Sequence, residues 1–493
     1  MSHTLPSPAP PRLPTAAPRT GTALLGIALG YFMVLLDTTV LSVAEPDLAR
    51  SLGSSTAGLQ WVVTGYTVAF GALLLSAGAV SDRYGAHRVF RAGVAVFGAG
   101  SLLSACAPGL WTLVGLRAVL GVAAAACVPS SMAMISRLYP DPARRARAVA
   151  VWAAVSGAAL AAGPIAGGLL VALAGWRAVF LVNVPLTALV LTLVAGRAVR
   201  CPRGEREVDW GGQFAACAAL GLLTDALIAF GAHAVVHGAC SAAGAVVAGA
   251  LFVRREQREW RGQRGRRERP ERTDGRERRG VSPVLVPAVL RAPGMTGMLM
   301  AGAAVGFALT AVLFVLPLLL QSTRGYGVVA AGVAFLPLTL PTAVNPLLVT
   351  GRLVARFGPR GPVLGGLALL AAAGGVMAGA ASSGAPYPVL AVGLFAAGCG
   401  VSLALPALTT AVITLAPAGS AGAAGGLLNA VRQLGATFGV AVLGSFVAVH
   451  PSARGAGWGL LLPGLVCALA AVLPVVLRAA GARRAGRSGR SGA

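Results

Sequence analysis

The stretch YFMVLLDTTVLSVAEPDLAR, residues 31–50, continues an apolar run that opens near Gly21, and Asp37 interrupts it well inside. A soluble core could bury the run, but the rest of the chain points to a different solvent. Of 493 residues, 56% are hydrophobic and 11% charged, and the mean hydropathy is +0.78, far above that of a soluble globular domain. A helix crosses hydrocarbon with about 20 consecutive apolar residues. Such segments recur at 21–43, 58–80, 88–107, 110–135, 146–172, 176–196, 212–232, 234–253, 295–320, 327–350, 360–380, 387–412, 422–449 and 457–479. The expected fold is all-α and integral to a membrane, with fourteen transmembrane helices and Asp37 inside the first.

A formal charge of +25 in a soluble protein would suggest a nucleic-acid partner. Here the arginines fall in alternate loops. Arg83, Arg88 and Arg91 follow the second span, Arg137, Arg144, Arg145 and Arg147 the fourth, and Arg197, Arg200, Arg203 and Arg206 the sixth. Arg352, Arg356 and Arg360 follow the tenth, and five more arginines lie from Arg478 to the C-terminus. The intervening loops hold single residues such as Arg50, Arg177, Arg324 and Arg454. By the positive-inside rule both termini are cytoplasmic, which requires an even number of spans in the cytoplasmic membrane. The charge thus reports topology, the bilayer is the partner, and no nucleic acid is implied. All 40 basic residues are Arg, beside abundant Ala and Gly, which suggests a GC-rich bacterial genome. Seven cysteines without paired spacing indicate neither a disulfide framework nor a zinc site. The Pro-rich first twenty residues precede a span longer than a signal-peptide core, so an uncleaved anchor is expected.

GAVSDRYG at 78–85 and GRLVARFG at 351–358 superimpose at a constant offset, matching Gly78, Arg83 and Gly85 to Gly351, Arg356 and Gly358. Each octet follows the second span of a six-span group. The chain divides into a cytoplasmic tail at 1–20, a six-helix half at 21–200, two additional central helices at 209–253, a basic cytoplasmic loop at 254–283, a second six-helix half at 284–480 and a basic tail at 481–493. Duplicated halves around a midplane site form a transporter architecture. The loop segment RREQREWRGQRGRRERPERTDGRERRG carries twelve Arg against five Glu and one Asp. With almost no apolar residue it reads as a solvated tether that cannot fold alone.

Ionisable groups inside hydrocarbon are expensive and mark function by default. Asp37, Arg117, Asp225 and Arg432 qualify. Asp37 lies eight residues before an outer end near Glu45, about 12 Å deep, and Arg117 lies about 10 Å deep in a helix entering from the same side. The two can meet. A carboxylate in low dielectric holds its proton more tightly and an adjacent guanidinium weakens that hold, so an Asp–Arg pair makes proton affinity depend on conformation. A buried pair that only fixes packing is the structural alternative. Asp225 near an outer end, and Arg432 with Asn429 and Gln433 in NAVRQLG, are candidate substrate contacts or interhelical hydrogen-bonding groups. In GAALAAGPIAGG, Gly163, Pro164, Gly167 and Gly168 allow close approach and a bend. His233 and His237 have metal-ligand spacing, but no acid or Cys accompanies them, and no metal is expected. The five His are scattered at 3, 87, 233, 237 and 450, which argues against an enzyme.

Together these residues make the chain resemble the major facilitator superfamily, specifically its fourteen-helix drug/proton antiporters, over residues 20 to 480. LDTTVLSVAEP at 36–46 is similar to the family's first-helix motif, implying a proton-coupling role for Asp37. LVGLRAVLGVAAA at 113–125 resembles the fourth-helix motif, whose Arg is tied to proton transfer, here Arg117. GAVSDRYGAHRVF at 78–90 resembles the cytoplasmic loop motif that gates the conformational change, which implies that role for Gly78, Asp82, Arg83, Gly85 and Arg88. GPIAGG at 163–168 matches the end of the motif associated with antiporters. WRAVFLVNVPL at 176–186 and GLLNAVRQLG at 426–435 also resemble the group. The chain departs from the pattern at Ser42, at Glu45, which puts an extra acid at the outer mouth, and at Ala86 and His87, which stand where basic residues are expected. Ala355 stands opposite Asp82 in the second copy, Leu120 replaces a Gln, and Ala150 and Ala159 replace glycines. The resemblance implies a monomeric antiporter that exports an amphipathic drug or antibiotic in exchange for protons. It needs no cofactor beyond the proton gradient, and Glu45, Asp225, Asn429, Arg432 and Gln433 are candidates for its substrate site. A proton-coupled importer of a small metabolite would share the bundle, and GPIAGG is the feature that argues against it.

Overall fold

The computed structural model describes residues 18–196, 201, 209–267, 287–417, 421–449 and 457–473, and among them every regular element is helical. The helices are α1 Pro18–Leu52, α2 Thr56–Tyr84, α3 Ala86–Ala105, α4 Leu110–Leu138, α5 Pro142–Ala174 and α6 Ala178–Leu193. There follow α7 Trp210–Gly231, α8 Val235–Arg267, α9 Met295–Thr323 and α10 Val328–Asn345, and α11 Arg360–Ser382. The last three are α12 Tyr387–Leu415, α13 Ala421–Val449 and α14 Gly457–Leu473. Eleven of these, all but α3, α6 and α14, are long and apolar enough to cross a membrane. Leu173, Phe214 and Val236 are more than 70% exposed on the outside of the bundle, where a water-facing surface would carry polar side chains.

Local chemistry sets the helix ends. Ser55 caps α2 by accepting from the Gly58 N–H at 3.3 Å, and Asp141 caps α5 by accepting from the Arg144 N–H at 2.8 Å ahead of Pro142 in the first turn. Each satisfies an otherwise orphaned donor. The two copies of the repeated octet end in the same way, on a glycine with positive φ, 92° at Gly85 and 69° at Gly358, a conformation that a Cβ disfavours.

Four elements differ from the sequence reading. α1 does not end near residue 43: it runs through Pro46 to Leu52, so Glu45 lies inside the helix at 3% exposure and not at an outer mouth. Packed neighbours allow a membrane helix to keep a proline, because they compensate for the lost backbone bond. The tether expected from residue 254 is helical as far as Arg267, because its Arg and Glu are good helix formers extending an already nucleated helix; residues 268–286 lie outside the described set. The tenth span is segmented: after α10 comes a π-helical stretch, Pro346–Thr350, and then a short helix, Gly351–Phe357. α9 likewise ends in a π-helical turn, Leu318–Thr323, directly after Pro317.

Packing divides the bundle. α1 contacts α4, α5 and α6, while α2 and α3 both pack on α4. In the second group α9 packs on α13, α12 on α11 and α10, and Gly464 of α14 lies against Gly374 of α11. α7 and α8 pair with each other, and α7 rests on α2 and α13. The groups meet along α2–α13 and α5–α10. The Gln321 amide of α9 also donates to the Val43 carbonyl of α1 at 3.0 Å. The α5–α10 contacts fall on Val328–Val333 and Leu336–Asn345, near the end of the molecule that carries the α1–α2 turn. That end is closed.

Candidate functional site

Asp37 projects from the middle of α1 into the interior of the first group at 3% exposure. Its Oδ2 accepts from Nη1 of Arg117 on α4, and Arg117 is 1% exposed. Asn183 of α6 donates to Asp37 Oδ1 at 3.1 Å and to the Ser101 hydroxyl oxygen of α3 at 3.3 Å. The Arg117 Nε donates to the Val62 carbonyl of α2 at 3.0 Å, using the second lone pair of a helical carbonyl. The guanidinium also sits over the Tyr66 ring, 4.5 Å from its centroid, a favourable cation–π geometry. The Tyr66 hydroxyl donates to the Val34 carbonyl of α1 at 3.3 Å. Five helices therefore hold one ion pair.

A buried pair with its hydrogen bonds satisfied persists, whereas either partner alone is a costly uncompensated charge. A proton on Asp37 would leave Arg117 without its counter-charge.

The other candidate residues do not all converge. Glu45 is buried on α1 and its Oε2 has no hydrogen-bond partner among the described residues. Arg432 donates from Nη1 to Asn429 Oδ1 at 2.9 Å within α13, while Gln433 packs against Gly71 of α2. Asp225 is held apart from these, on the α7–α8 pair, where its Oδ2 accepts from the Ser241 hydroxyl at 2.5 Å and lies 2.8 Å from His237 Nε2. Among the described residues no group of three or more His, Cys, Asp or Glu could hold a metal.

The glycine motif lies at helix crossings. A Cβ at Gly163 would fall 1.9 Å from Thr39 Oγ1, and one at Gly167 would fall 2.6 Å from the Val40 carbonyl oxygen, so α5 lies directly on α1. On its other side Gly168 faces Val328, and the Pro164 carbonyl faces Gly332 of α10. Gly78 has open space around it, and Asp82 and Arg88 are exposed while Arg83 is half-buried. His87 is buried, and its Nδ1 accepts from the Cys201 N–H at 3.0 Å, so this departure ties α3 to the segment after α6.

Sequence reasoning missed the neutral members of the network. Asn183 in FLVNVPL, Gln60 in GLQWVV and Gln321 in LLLQST are amides inside apolar runs, a signal that a search limited to ionisable groups passes over. Gln60 of α2 donates to the Ala441 carbonyl of α13 at 2.7 Å and to that of Val440 at 3.1 Å. The Thr437 hydroxyl of α13 donates to that of Thr67 at 2.8 Å.

Comparison with known proteins agrees with this architecture. The family model described as Major Facilitator Superfamily matches residues 27–440 and 339–492. The chain is 34% identical to the multidrug resistance protein Stp of Mycobacterium tuberculosis (strain CDC 1551 / Oshkosh), covering 87% of this chain and 76% of that protein. It is 34% identical to the methylenomycin A resistance protein of Bacillus subtilis (strain 168), covering 91% and 92%. With the puromycin resistance protein pur8 of Streptomyces alboniger it shares 35% identity over 86% and 81%. Among solved structures, a POT family transporter in complex with 5-aminolevulinic acid matches with a TM-score of 0.66 at 11% identity, covering 93% of this chain and 95% of that one. The nucleoside transporter NupG matches at 0.62 and 12%, covering 92% and 99%. At these identities the structures speak for the fold alone.

Proposed function

The chain belongs to the major facilitator superfamily, and from that premise we propose that it is a proton-coupled antiporter exporting an amphipathic drug or antibiotic by alternating access. The relatives' names, multidrug, methylenomycin A and puromycin resistance, support export. The observation that carries the proton part is the buried Asp37–Arg117 pair. In the proposed arrangement all fourteen helices, α3, α6 and α14 included, cross the cytoplasmic membrane with both termini inside. Residues 21–200 and 284–480 are the two halves, 209–253 the additional pair and 254–283 the cytoplasmic loop. The end that carries the α1–α2 turn then faces outward.

In the proposed cycle the outward-open chain takes a proton on Asp37, Arg117 loses its counter-charge, and substrate leaves. The halves then rock, Asp37 gives its proton to the cytoplasm, and the ion pair re-forms as the next substrate binds. Proton and substrate bias one two-state equilibrium in opposite directions. The loop residues Gly78, Asp82, Arg83, Gly85 and Arg88 act at the cytoplasmic end, where they would latch one state.

The test is the susceptibility of an efflux-deficient bacterial host expressing the wild type or Asp37→Asn at matched membrane levels. The panel would include puromycin, methylenomycin A, aromatic acids and cationic dyes. The reading expects protection by the wild type that the variant loses. Equal protection by both would remove Asp37 from the mechanism, and protection against nothing would remove the export reading.

A further inference from the structure

From Val281 to the C-terminus the chain holds twelve Arg, no Lys and no Asp or Glu. The second helical group therefore contains no side-chain carboxylate to balance its own guanidiniums. Arg352, Arg356 and Arg360 lie on the second octet and the turn after it, all exposed, and among the described residues none of them forms an ion pair. Arg352 folds back on its own helix, donating from Nη1 to the Leu348 carbonyl at 2.5 Å. The other two meet at Phe357. The Arg356 guanidinium lies over the Phe357 ring, 5.3 Å from its centroid, and Phe357 and Arg360 both line a cavity of about 240 Å³. Met298 of α9 and Leu415 of α12 supply further apolar walls. The cavity reaches the surface, since Phe357 is 62% exposed.

Arg360 also heads a row on α11. Leu364, Ala368, Ala372 and Val376 follow it at four-residue steps, which places them on one helix face, and all are exposed. In a chain that crosses a bilayer, such an apolar face lies against acyl chains. Exposed cations, an apolar cavity and an apolar face thus adjoin at one end of α11. A guanidinium holds a phosphate through paired N–H donors, and basic pockets between membrane helices hold anionic headgroups. We infer that Arg356, Arg360 and the cavity beside Phe357 bind one anionic phospholipid, with its phosphate on the two guanidiniums and its acyl chains on the cavity wall and the α11 row. A zwitterionic lipid brings a cation of its own to the same guanidiniums and is disfavoured. A soluble phosphate would leave the apolar walls bare. The inference needs only that the chain lies in a bilayer and is independent of what it exports.

The experiment is fluorescence quenching of Phe357→Trp in the full chain, reconstituted in phosphatidylcholine nanodiscs, with the signal of the chain lacking that substitution subtracted. Graded fractions of phosphatidylglycerol or phosphatidylcholine, each brominated on its acyl chains, serve as quenchers. Brominated phosphatidylglycerol is expected to reach half of its full quenching at an about fivefold lower mole fraction than brominated phosphatidylcholine. Arg356→Gln together with Arg360→Gln removes that preference, whereas Arg356→Lys with Arg360→Lys keeps part of it. Glycerol phosphate, the headgroup without its chains, leaves the quenching unchanged. Equal quenching by the two lipids, or relief of quenching by glycerol phosphate, would overturn the inference. So would a preference that survives the loss of both arginines, because the lipid would then answer to the charge of the whole chain and not to this site. Should the double Gln variant fail to fold, Arg360→Gln alone, made at an exposed side chain, decides by the same readout. A chain that prefers the anionic lipid here yet protects a host from nothing sinks the export reading alone.

Discussion

At the scale of the residue, hydrocarbon does not tolerate single charges. Asp37 and Arg117 occupy one site, each less than 4% exposed, and breaking such a pair by removing one partner costs about 3–5 kcal/mol. Asp37→Asn and Arg117→Gln should therefore each lower the thermal midpoint of the purified chain. The double variant, with no charge left to strand, should regain most of the loss while remaining unable to transport. Midpoints of both single variants equal to wild type would mean that the pair is not a closed, water-free unit. This pair was legible in the sequence, because an acid and an arginine in apolar runs at matching depth stand out. The polar shell was not: Asn183, Ser101 and Tyr66 carry no charge, and only folding shows that they gather around the Asp37–Arg117 pair. Glu45 was read as a mouth residue because the apolar span was ended near residue 43, and the packed continuation of α1 to Leu52 buries it.

At the scale of the element, helices approach where side chains are absent. Gly168 faces the backbone of Val328 and Val329 so closely that an added Cβ would lie 2.9 Å from the Val328 carbonyl oxygen, and a backbone atom cannot swing aside. Gly168→Ala should therefore pry α5 from α10. A cysteine placed at Ala331, which is 0% exposed, should then react several-fold faster with a polar maleimide. Gly157→Ala, which meets nothing within 4 Å, is the control that leaves the rate unchanged. Equal rates in all three backgrounds would show that this contact does not hold the end shut. The glycine spacing in GPIAGG announced a close crossing, but not that it has two sides, α1 through Gly163 and Gly167 and α10 through Gly168. The π-helical stretches after Pro317 and at Pro346 were equally hidden, since local hydropathy does not distinguish a hydrogen-bonding pattern from its neighbour.

At the scale of the molecule, two helical groups meet along α2–α13 and α5–α10. The duplicated octet in the sequence suggested two groups, and both of its copies end their helices on a glycine with positive φ, Gly85 and Gly358. The contacts between the groups could not be read in advance. They rest on Gln60, Thr67, Thr437 and Gln321, neutral residues whose partners lie some 280 to 380 positions away along the chain. The central claim is that movement of these groups is coupled to a proton on Asp37. It is tested most directly in inside-out proteoliposomes loaded at acid pH and diluted into alkaline buffer, with whichever of puromycin or methylenomycin A the wild-type chain protects a host against. The account predicts that the wild type accumulates the compound inside and loses that accumulation when the gradient is collapsed, and that Asp37→Asn binds the compound without accumulating it. Accumulation by Asp37→Asn at the wild-type rate, or by the wild type with no gradient, would contradict it.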